Sequence, residues 1–411
     1  MSKYFDALET RTTDERNSAL ATRLPQQIAH AKASTGYFRE TLKHVDASKI
    51  TSLEALAGLP VVRKSELIEL QKKGPPFGGL AASAWGKLGR VFSSPGPIYE
   101  PEGRSADYWR TARALYAAGF RAGDLVHNSF SYHMTPGAWI LEAGAQALGC
   151  TVFPAGVGQT EQQVAAMADL APNGYVGTPS FLRILLEKAD ELGVKLPSLT
   201  KALVSGEAFL PPVRDALLAR GIAGYQAYAT AELGVIAYET EARQGLVIDE
   251  GVIVEIVRPG TGDPVAAGEV GEVVVTTFNA DYPLIRFGTG DLSAFLSGIS
   301  PCGRTNLRIK GWLGRADQTT KIKGMFVHPE QVAAVVKRHA EIVRARLVVT
   351  NPDSTDLMTL NCEVGTPSGE LDKAIAETVR DITKLRADVK LVAVGSLAND
   401  GKVIEDSRKY D

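Results

Sequence analysis

The fold is decided by residues 148–185, LGCTVFPAGVGQTEQQVAAMADLAPNGYVGTPSFLRIL. The strand-like run CTVFPAG is followed by the helical run TEQQVAAMADL, and the pattern repeats with NGYVGTP and the helix that begins at FLRIL. A helix between two strands is the connection that parallel strands require, whereas antiparallel strands need only a short turn. The stretch therefore predicts an α/β fold with a mostly parallel sheet covered by helices.

The same alternation extends on both sides of this stretch. Helix- and strand-like runs alternate through YWRTARALYAAGF, DLVHNSF and PGAWILEAGAQALG before it, and the strand-like LTKALVSGE follows it. Residues 1–70 show apolar positions at helical spacing, and we expect helices there. All of these segments are predicted to belong to the large domain.

The pattern changes twice towards the C-terminus. From about residue 245, short alternating strands split by turn residues predict a small antiparallel β region. From about residue 315, the order ββαββαβ predicts a small α+β domain. We therefore predict a large domain over 1–315 and a small C-terminal domain over 316–411.

Composition excludes several classes of function. The 411 residues carry a net charge of −2, with 45 basic and 47 acidic side chains well mixed, which argues against a nucleic-acid-binding surface. The most apolar segment, 137–158, is interrupted by Glu142, Gln146 and Pro154, so we expect no membrane partner. The charged N-terminus has no apolar secretion signal, and the three cysteines are few and far apart, so we predict a cytoplasmic protein. The oligomeric state is left open, with a homodimer as one alternative.

Five short motifs carry the chemistry. In chain order they are VSGEAF (204–209), QAYATAELG (226–234), RFGTGDLSAF (286–295), GRADQTTKIKG (314–324) and the Gly-Lys pair in ANDGKVIEDS (398–407). In this order and spacing they resemble the adenylate-forming superfamily of acyl-CoA synthetases, luciferases and peptide-synthetase adenylation domains. Residues 148–185 and PCGRT (301–305) resemble its shorter phenylacetate–CoA ligase branch. The resemblance covers roughly residues 25–411.

The resemblance implies a two-step reaction on a small-molecule carboxylic acid. The acid attacks the α-phosphate of ATP to give an acyl-adenylate and pyrophosphate, and coenzyme A then displaces AMP as the thioester forms. ATP/AMP, Mg²⁺ and coenzyme A are the implied cofactors, because negative charge that builds on the α-phosphate needs a metal and a cation. The small domain is implied to be a mobile lid that turns between the two steps.

Three residues are expected to carry the adenylation chemistry. Glu232 matches the metal-binding glutamate, Thr230 the hydroxyl near the α-phosphate, and Lys402 the mobile cation. The alternative for Glu232 is a glutamate that the helix dipole favours at a helix N-terminus. The alternative for Lys402 is an ordinary surface lysine, and Lys409 lies only seven positions away.

Other residues are expected to hold the nucleotide and coenzyme A. Asp291 matches the carboxylate that accepts hydrogen bonds from both ribose hydroxyls, and Tyr228 the aromatic ring against adenine. Asp317 matches the hinge and Gly324 the glycine of the pantetheine tunnel, although a simple turn would also explain that glycine. The full expected nucleotide and coenzyme set is Ser93, Ser94, Gly96, Ser205, Gly206, Glu207, Ala227, Tyr228, Ala229, Thr230, Asp291, Arg315 and Gly324.

The acyl pocket is expected after the strand DLVHNSF. The resemblance places there a group of aromatic and small residues: Phe130, Tyr132, His133, Thr135, Pro136 and Gly137. Such a lining favours a flat apolar acid such as phenylacetate, while Tyr132 and His133 leave a short hydroxy acid open as the alternative. A buried structural histidine is the competing interpretation of His133.

The stretch SSPGPIYEP (93–101) departs from the family's phosphate loop. Ser93, Ser94 and Gly96 are present, but the second pair of hydroxyls and the lysine are absent. Pro95 and Pro97 also remove backbone N–H donors. We predict a loop that holds the terminal phosphates weakly. Two alternatives to a coenzyme A ligase stay open. The protein could be a catalytically weak nucleotide-binding homologue, or it could transfer the acyl group to a carrier protein or an amine.

A second departure concerns zinc. Some relatives carry cysteines near the PCGRT motif, but here Ser300 precedes Cys302, and Thr240 and Val247 lie where other ligands would come from. Because a tetrahedral zinc site needs about four sulfur or imidazole ligands, we expect no structural zinc.

Overall fold

The computed structural model describes residues 2–316, 320–322, 325–352 and 356–408. Its packing divides the chain into two compact units, here called the first and the second unit. The first contains Met1–Val254, Val275–Phe287 and Leu296–Trp312, and the second contains Glu255–Val274, Gly288–Phe295 and Leu313–Asp411. The boundary predicted at 315/316 stays a prediction.

The helices and strands follow one another as the sequence patterns indicate. The α-helices are α1 Thr13–Ser34, α2 Gly36–Thr41, α3 Leu53–Ala57, α4 Leu67–Lys73, α5 Thr111–Ala117, α6 Gly137–Ala147, α7 Thr160–Leu170, α8 Pro179–Glu191, α9 Pro211–Ala219, α10 Pro329–Arg338 and α11 Gly369–Thr383. The strands of the first half are β1 Val62–Arg63, β2 Arg90–Ser94, β3 Ile98–Glu102, β4 Leu125–Asn128, β5 Thr151–Pro154, β6 Gly174–Gly177, β7 Lys201–Val204, β8 Ala223–Thr230, β9 Gly234–Tyr238 and β10 Leu246–Ile248. Those of the second half are β11 Val252–Val257, β12 Gly271–Thr277, β13 Phe287–Ser293, β14 Phe295–Leu296, β15 Arg308–Ile309, β16 Thr320–Ile322, β17 Met325–Val327, β18 Ile342–Thr350, β19 Leu357–Val364, β20 Asp388–Val392 and β21 Ile404–Asp406.

A nine-stranded sheet forms the centre of the first unit, in the order β14-β15-β10-β9-β8-β7-β6-β4-β5. Strands β5, β4, β6, β7 and β8 run parallel, and β9, β10 and β15 continue the sheet antiparallel. The predicted α/β fold with a mostly parallel sheet is therefore confirmed. The antiparallel region includes these added strands and a separate four-stranded sheet in the order β1-β13-β12-β11.

Helices pack on both faces of the parallel strands. Along β6 and β7, Tyr175, Ala202 and Val204 belong to one hydrophobic cluster, while Val176 and Leu203 belong to another. Successive side chains of a strand point to opposite faces, so each strand contributes to two cores. Burial on both faces explains why these strands read as nearly continuous apolar runs.

The carboxyl ends of the parallel strands meet at one edge of this sheet. The segments that follow β4, β6, β7 and β8 begin at residues 129, 178, 205 and 231. In open α/β sheets this edge is where ligands bind. The edge therefore gathers two of the five motifs, VSGEAF and QAYATAELG, and the segment of the predicted acyl pocket.

The C-terminal part of the second unit is a small α+β fold. Its sheet has the order β20-β19-β18-β21, with β18 and β19 antiparallel and the outer strands parallel to their neighbours. Helices α10 and α11 share a core with this sheet that includes Val332, Leu347, Leu360 and Ile375. The structure has one strand more than the predicted order ββαββαβ. This strand, β21, has only three residues, which are too few to show strand periodicity in the sequence. Among the described residues, no helix is both long and apolar enough to cross a membrane.

Candidate active site

The turn that carries Glu232 is held rigidly between β8 and β9. Thr230 Oγ1 accepts a hydrogen bond from the N–H of Leu233 at 3.3 Å, and the guanidinium of Arg110 donates to the carbonyl of Leu233. Gly234 has a φ of +69°, and a Cβ there would stand 2.8 Å from the carbonyl oxygen of Trp109. Only glycine fits this close approach without strain, which explains the glycine of the AELG motif.

Glu232 is buried, with 4% of its surface exposed. Lys64 Nζ lies 2.8 Å from its Oε1 in an ion pair, whereas Oε2 has no hydrogen-bond partner within the described part of the chain. A buried carboxylate oxygen without a donor is costly unless a ligand, water or ion completes its environment. Carboxylate oxygen is the ligand that Mg²⁺ prefers, and phosphates and water commonly supply its remaining ligands. Glu232 therefore fits the metal ligand that the sequence predicts.

Sequence reasoning missed Lys64. It lies in a short 3₁₀ turn, Lys64–Glu66, that follows β1, far along the chain from the motif it meets. No spacing or neighbouring motif marks this lysine, so only the fold reveals its ion pair with Glu232. A cation thus reaches Glu232 from outside the altered phosphate loop.

The altered loop is a tight β-hairpin. Strands β2 and β3 pair from Arg90↔Glu102 to Ser94↔Ile98, which leaves only residues 95–97 for the turn. The hydroxyl of Ser94 hydrogen-bonds to the buried carboxylate of Glu100. The N–H of Ser93 donates to the carbonyl of Met134 at 2.9 Å, next to the predicted acyl pocket. The hydroxyl of Ser94 is therefore committed inside the hairpin, whereas Ser93 stays half-buried at its rim.

The VSGEAF motif lies at the carboxyl edge of the sheet. Ser205 Oγ donates to the carbonyl of Ala227 at 2.8 Å and so ties the end of β7 to β8. Glu207 Oε1 accepts a hydrogen bond from Ser180 at 2.9 Å. Tyr228 continues β8, where it is half-buried and pairs with Ala237 of β9. The structure thus brings together Ser205, Gly206, Glu207, Ala227, Tyr228, Ala229 and Thr230.

Phe130 connects the predicted acyl pocket to this edge. Its ring lies 3.4 Å from where a Cβ of Gly137 would stand and 3.5 Å from the same point on Gly206. The ring therefore lies against backbone at two sides.

The polar residues of the predicted acyl pocket differ in their hydrogen bonds and in their exposure to solvent. The hydroxyl of Tyr132 donates to Glu142 Oε2 at 2.6 Å and accepts from Asn128 Nδ2 at 2.9 Å, so it is used inside the protein. His133 is exposed, which excludes the alternative that it is a buried structural histidine. Thr135 is half-buried and Pro136 buried, directly before α6.

In the second unit, Asp291 and Arg315 form the pair that the sequence predicts for the ribose. Arg315 Nη1 donates to Asp291 Oδ1 at 3.1 Å, and the two residues form an isolated antiparallel bridge. Gly290 has a φ of +74°, and a Cβ there would stand 2.8 Å from Arg315 Nη2. This glycine therefore makes room for the guanidinium beside the carboxylate.

The loop of Lys402 is anchored while its side chain is exposed. Arg346 Nε donates to the carbonyl of Lys402 at 3.1 Å, and the N–H of Lys402 donates to Asp400 Oδ1 at 3.1 Å. Gly401 packs against Leu292 of β13. This contact places the Lys402 loop against the strand that carries Asp291. Neighbouring side chains of a strand point to opposite faces, so the contact with Leu292 does not bring the side chains of Lys402 and Asp291 together. Asp317 and Gly324 lie outside the described residues.

The neighbourhood of Cys302 holds hydroxyls at the place where the sequence resemblance implies further cysteines in some relatives. Ser300 Oγ lies 3.0 Å from Cys302 Sγ. Burial opposes ionisation of this thiol, but hydrogen bonds with Ser300, Thr240 and Arg304 lower the pKa of Cys302. In the described ranges, no group of three or more His, Cys, Asp or Glu side chains is placed to hold a metal ion. The expected absence of structural zinc stays a prediction.

Comparison with known proteins now adds the family. A family model for AMP-binding enzymes matches residues 109–279. The chain is 32% identical over 409 residues to a phenylacetate–coenzyme A ligase of Thermus thermophilus, an alignment that covers 95% of this chain and 90% of the relative. The chain belongs to the adenylate-forming superfamily, in its phenylacetate–CoA ligase branch. This membership confirms the resemblance and makes the chain an enzyme of the acid–thiol ligase class.

Other members of the family match over nearly their full lengths. A phenylacetate–coenzyme A ligase of Escherichia coli is 28% identical, and the alignment covers 97% of this chain and 96% of that one. A crystal structure of 2-hydroxyisobutyryl-CoA ligase, in an open conformation with 2-HIB-AMP and CoA, is 28% identical with a TM-score of 0.73. That match covers 97% of this chain and 92% of the solved one. The relatives therefore differ in the acid that their names specify.

Proposed function

We propose that this enzyme joins an aromatic carboxylic acid to coenzyme A through an acyl-adenylate made from ATP. The observation that carries the proposal is the buried Glu232 carboxylate: Oε1 is paired with Lys64, and Oε2 has no hydrogen-bond partner in the described chain. It lies at the sheet edge where α/β proteins bind their ligands. An acidic group there suits a metal–nucleotide complex.

In the first step, a carboxylate oxygen of the acid attacks the α-phosphorus of ATP. The bond from that phosphorus to the bridging oxygen breaks, and pyrophosphate leaves with the electron pair. Glu232 would hold Mg²⁺, which supplies charge neutralisation on the phosphates when bound. Lys64 and Lys402 supply the cations that the phosphate loop lacks, and Thr230 supplies a hydroxyl near the α-phosphate.

The AMP half of the nucleotide is held by other groups. Asp291 accepts hydrogen bonds from the ribose hydroxyls, and Arg315 beside it fixes the orientation of that carboxylate. Tyr228 and the Ser205–Glu207 turn border the adenine and the α-phosphate. These groups keep the reacting atoms in line, which is the positioning contribution to the rate.

In the second step, the thiolate of coenzyme A attacks the acyl carbon and AMP leaves. Lys402 is no longer needed once the adenylyl group has been transferred to the acid. We propose that rotation about Asp317 withdraws it and that Gly324 then lines the pantetheine path. Support comes from 2-hydroxyisobutyryl-CoA ligase, for which open, postadenylation and thioesterification structures are known.

The acyl group is proposed to be aromatic. Phe130 packed against Gly137 and Gly206 favours a flat, apolar slot, and the hydroxyl of Tyr132 is already used by Glu142 and Asn128. The relatives from Thermus thermophilus and Escherichia coli are named for phenylacetate. A short 2-hydroxy acid is the second candidate, favoured by the exposed His133 and by the hydroxyisobutyryl-CoA ligase match.

A substrate panel tests the proposal. Purified enzyme is incubated with ATP, Mg²⁺ and coenzyme A, and with phenylacetate, benzoate or 2-hydroxyisobutyrate, and the thioesters are quantified by mass spectrometry. We expect phenylacetate to give the highest kcat/KM. Preference for 2-hydroxyisobutyrate would replace the proposed acid, and pyrophosphate release without any thioester would replace coenzyme A as the acceptor.

A further inference from the structure

The loop between β4 and α6, residues 129–136 and here called the acyl loop, is fixed to α6 through Tyr132. The indole N–H of Trp139 donates to the carbonyl of Tyr132 at 3.3 Å, and the two rings meet edge to face with their centroids 5.1 Å apart. Glu142 accepts a hydrogen bond from the Tyr132 hydroxyl at 2.6 Å. Because residues three apart on a helix are neighbours on its surface, α6 holds the backbone, the ring and the hydroxyl of this tyrosine from one face.

The β2–β3 hairpin reaches the same tryptophan. The guanidinium carbon of Arg90, the first residue of β2, lies 4.0 Å from the centroid of the Trp139 ring. Tryptophan is the aromatic side chain that attracts a cation most strongly. Arg90 Nη1 also lies 2.8 Å from Glu102 Oε2 of β3, so both strands of the hairpin determine where the guanidinium lies. Trp139 therefore joins the hairpin to the acyl loop.

A backbone hydrogen bond makes a second connection between the hairpin and the acyl loop. The N–H of Ser93 donates to the carbonyl of Met134 at 2.9 Å. Arg90 and Ser93 both belong to β2, so this one strand holds the loop indirectly through Trp139 and directly at Met134. Two separate connections fix the orientation of a segment, whereas a single one would let it pivot.

The loop that is held in this way carries the aromatic ring of the proposed acyl pocket. Phe130 lies two residues before Tyr132, and its ring is 3.4 Å from where a Cβ of Gly137 would stand. The position of this ring thus depends on contacts that lie outside the pocket. A binding slot whose walls are locked by surrounding side chains discriminates between ligands better than a slot with loose walls.

We propose that Trp139, stacked on Arg90, is a positioning residue that determines which acid the enzyme selects. It acts through Tyr132 and the acyl loop without touching the acid. The proposal rests on the proposed function, because that function assigns the acyl group to this loop. It also gives a use to the hairpin that replaces the phosphate loop, since β2 would hold one wall of the acyl pocket.

A tryptophan that only stabilises the fold would behave differently. Trp139 is half-buried and packs against the hydrophobic core that includes Ile140 and Ala227, so its removal is expected to lower thermal stability in either case. A purely structural loss would lower the rate with every acid by the same factor. A positioning residue instead changes the KM for the acid and the preference between acids, and it leaves the KM for ATP unchanged.

Pyrophosphate release with two acids of different shape, phenylacetate and 2-hydroxyisobutyrate, tests the proposal. The wild type is compared with W139L, W139F and R90Q, and thermal unfolding checks that each variant is folded. R23Q is the matched control, because Arg23 stacks on the ring of Phe278 at the same distance of 4.0 Å but neither residue belongs to the hairpin or the acyl loop.

W139L should raise the KM for the preferred acid about tenfold and shrink the ratio of kcat/KM between the two acids about tenfold, while the KM for ATP stays within about twofold. W139F keeps a ring but loses the indole N–H, so its effect should lie between those of the wild type and W139L. R90Q should shift the ratio in the same direction by a smaller factor, and R23Q should match the wild type. Because Arg90 acts through Trp139, R90Q/W139L should be no worse than W139L alone.

The outcomes separate this proposal from the proposed function. If W139L lowers kcat/KM for both acids by the same factor, or raises the KM for ATP as much as that for the acid, the role of Trp139 in selection is overturned and the proposed function stands. A wild type that releases pyrophosphate with no acid would overturn both. If W139L does not fold, W139F decides: an unchanged ratio between the acids would contradict the proposal, and a smaller ratio would support it.

Discussion

The two regions proposed to hold ATP differ in the burial of their paired carboxylates. In the second unit, the carboxylate of Asp291 meets the guanidinium of Arg315 at 3.1 Å, and the Arg315 side chain is 45% exposed. In the first unit, the side chain of Glu232 has no exposed surface, and its Oε1 lies 2.8 Å from Lys64 Nζ. Glu232 Oε2 has no hydrogen-bond partner in the described residues.

This difference indicates that the two regions contribute to different steps, nucleotide binding and chemistry. The Asp291–Arg315 region is complete by itself and is suited to bind the uncharged ribose. The Glu232 region leaves one buried carboxylate oxygen without a hydrogen-bond partner among the described residues, and we propose that a metal–phosphate complex completes it. We therefore expect substitutions in the Glu232 region to lower the rate of chemistry, and substitutions near Asp291 to lower nucleotide affinity.

The largest effect is expected from Lys402, which belongs to neither of these charge clusters. Lys402→Ala should slow acyl-adenylate formation by about 10³-fold, because a cation on the α-phosphate is lost in the transition state. Given synthetic acyl-adenylate and coenzyme A, the same variant should make thioester at a near-normal rate. Lys373→Ala, another exposed lysine of the second unit, is the control. Equal loss of both half-reactions would contradict a cation that acts only in adenylation.

Glu232→Gln should have the next largest effect. Removing the charge while keeping the size should lower kcat for pyrophosphate release by about 10²-fold, as expected for a lost electrostatic contact in the transition state. The affinity for AMP should change little, because AMP lacks the terminal phosphates. An E232Q enzyme with normal kcat would remove this residue from the site.

Asp291→Ala should instead act mainly on binding. Loss of hydrogen bonds from the ribose to a charged acceptor should weaken AMP binding about tenfold to a hundredfold, measured by calorimetry. Asp291→Asn, which keeps the shape and one acceptor oxygen, should lose less. If Asp291→Ala lowered kcat while AMP affinity stayed normal, the proposed division of labour would be wrong.

The smallest effect concerns the altered loop of the β2–β3 hairpin. Because the β2–β3 hairpin offers no lysine and commits the hydroxyl of Ser94 to Glu100, ATP without metal should bind less than about tenfold more tightly than AMP, a gap of about 1.4 kcal/mol. Adding Mg²⁺ should widen the gap. A larger gap without metal would show that other groups hold the terminal phosphates.

The two regions also differ in how far the sequence predicts them. Asp291, Arg315 and Glu232 each lie in a short motif whose neighbouring glycines, Gly290 and Gly234, show in the structure why the motif is needed. The alternating helices and strands likewise predict the parallel sheet, because periodicity reports burial directly. The motifs and the parallel sheet can be predicted because each depends on residues that are close together in the chain.

The remainder depends on residues that only folding brings together. Lys64 lies far along the chain from Glu232 and in no recognisable motif, yet the fold places its ammonium group 2.8 Å from that carboxylate. Ser94 is visible as a loop hydroxyl, but its bond to Glu100 depends on a hairpin register that the prolines did not reveal. Long-range pairing of this kind carries no local pattern, which is why the sequence predicts a loop that holds phosphates weakly but not the ion pair of Lys64 with Glu232.

The central claim is that this enzyme forms an acyl-adenylate before coenzyme A takes part. Exchange of radiolabelled pyrophosphate into ATP tests it most directly. With Mg²⁺ and phenylacetate but no coenzyme A, the account predicts rapid acid-dependent exchange, and addition of coenzyme A should then yield thioester and AMP in equal amounts. Exchange that occurs only with coenzyme A, or thioester formation accompanied by ADP and phosphate, would contradict the account.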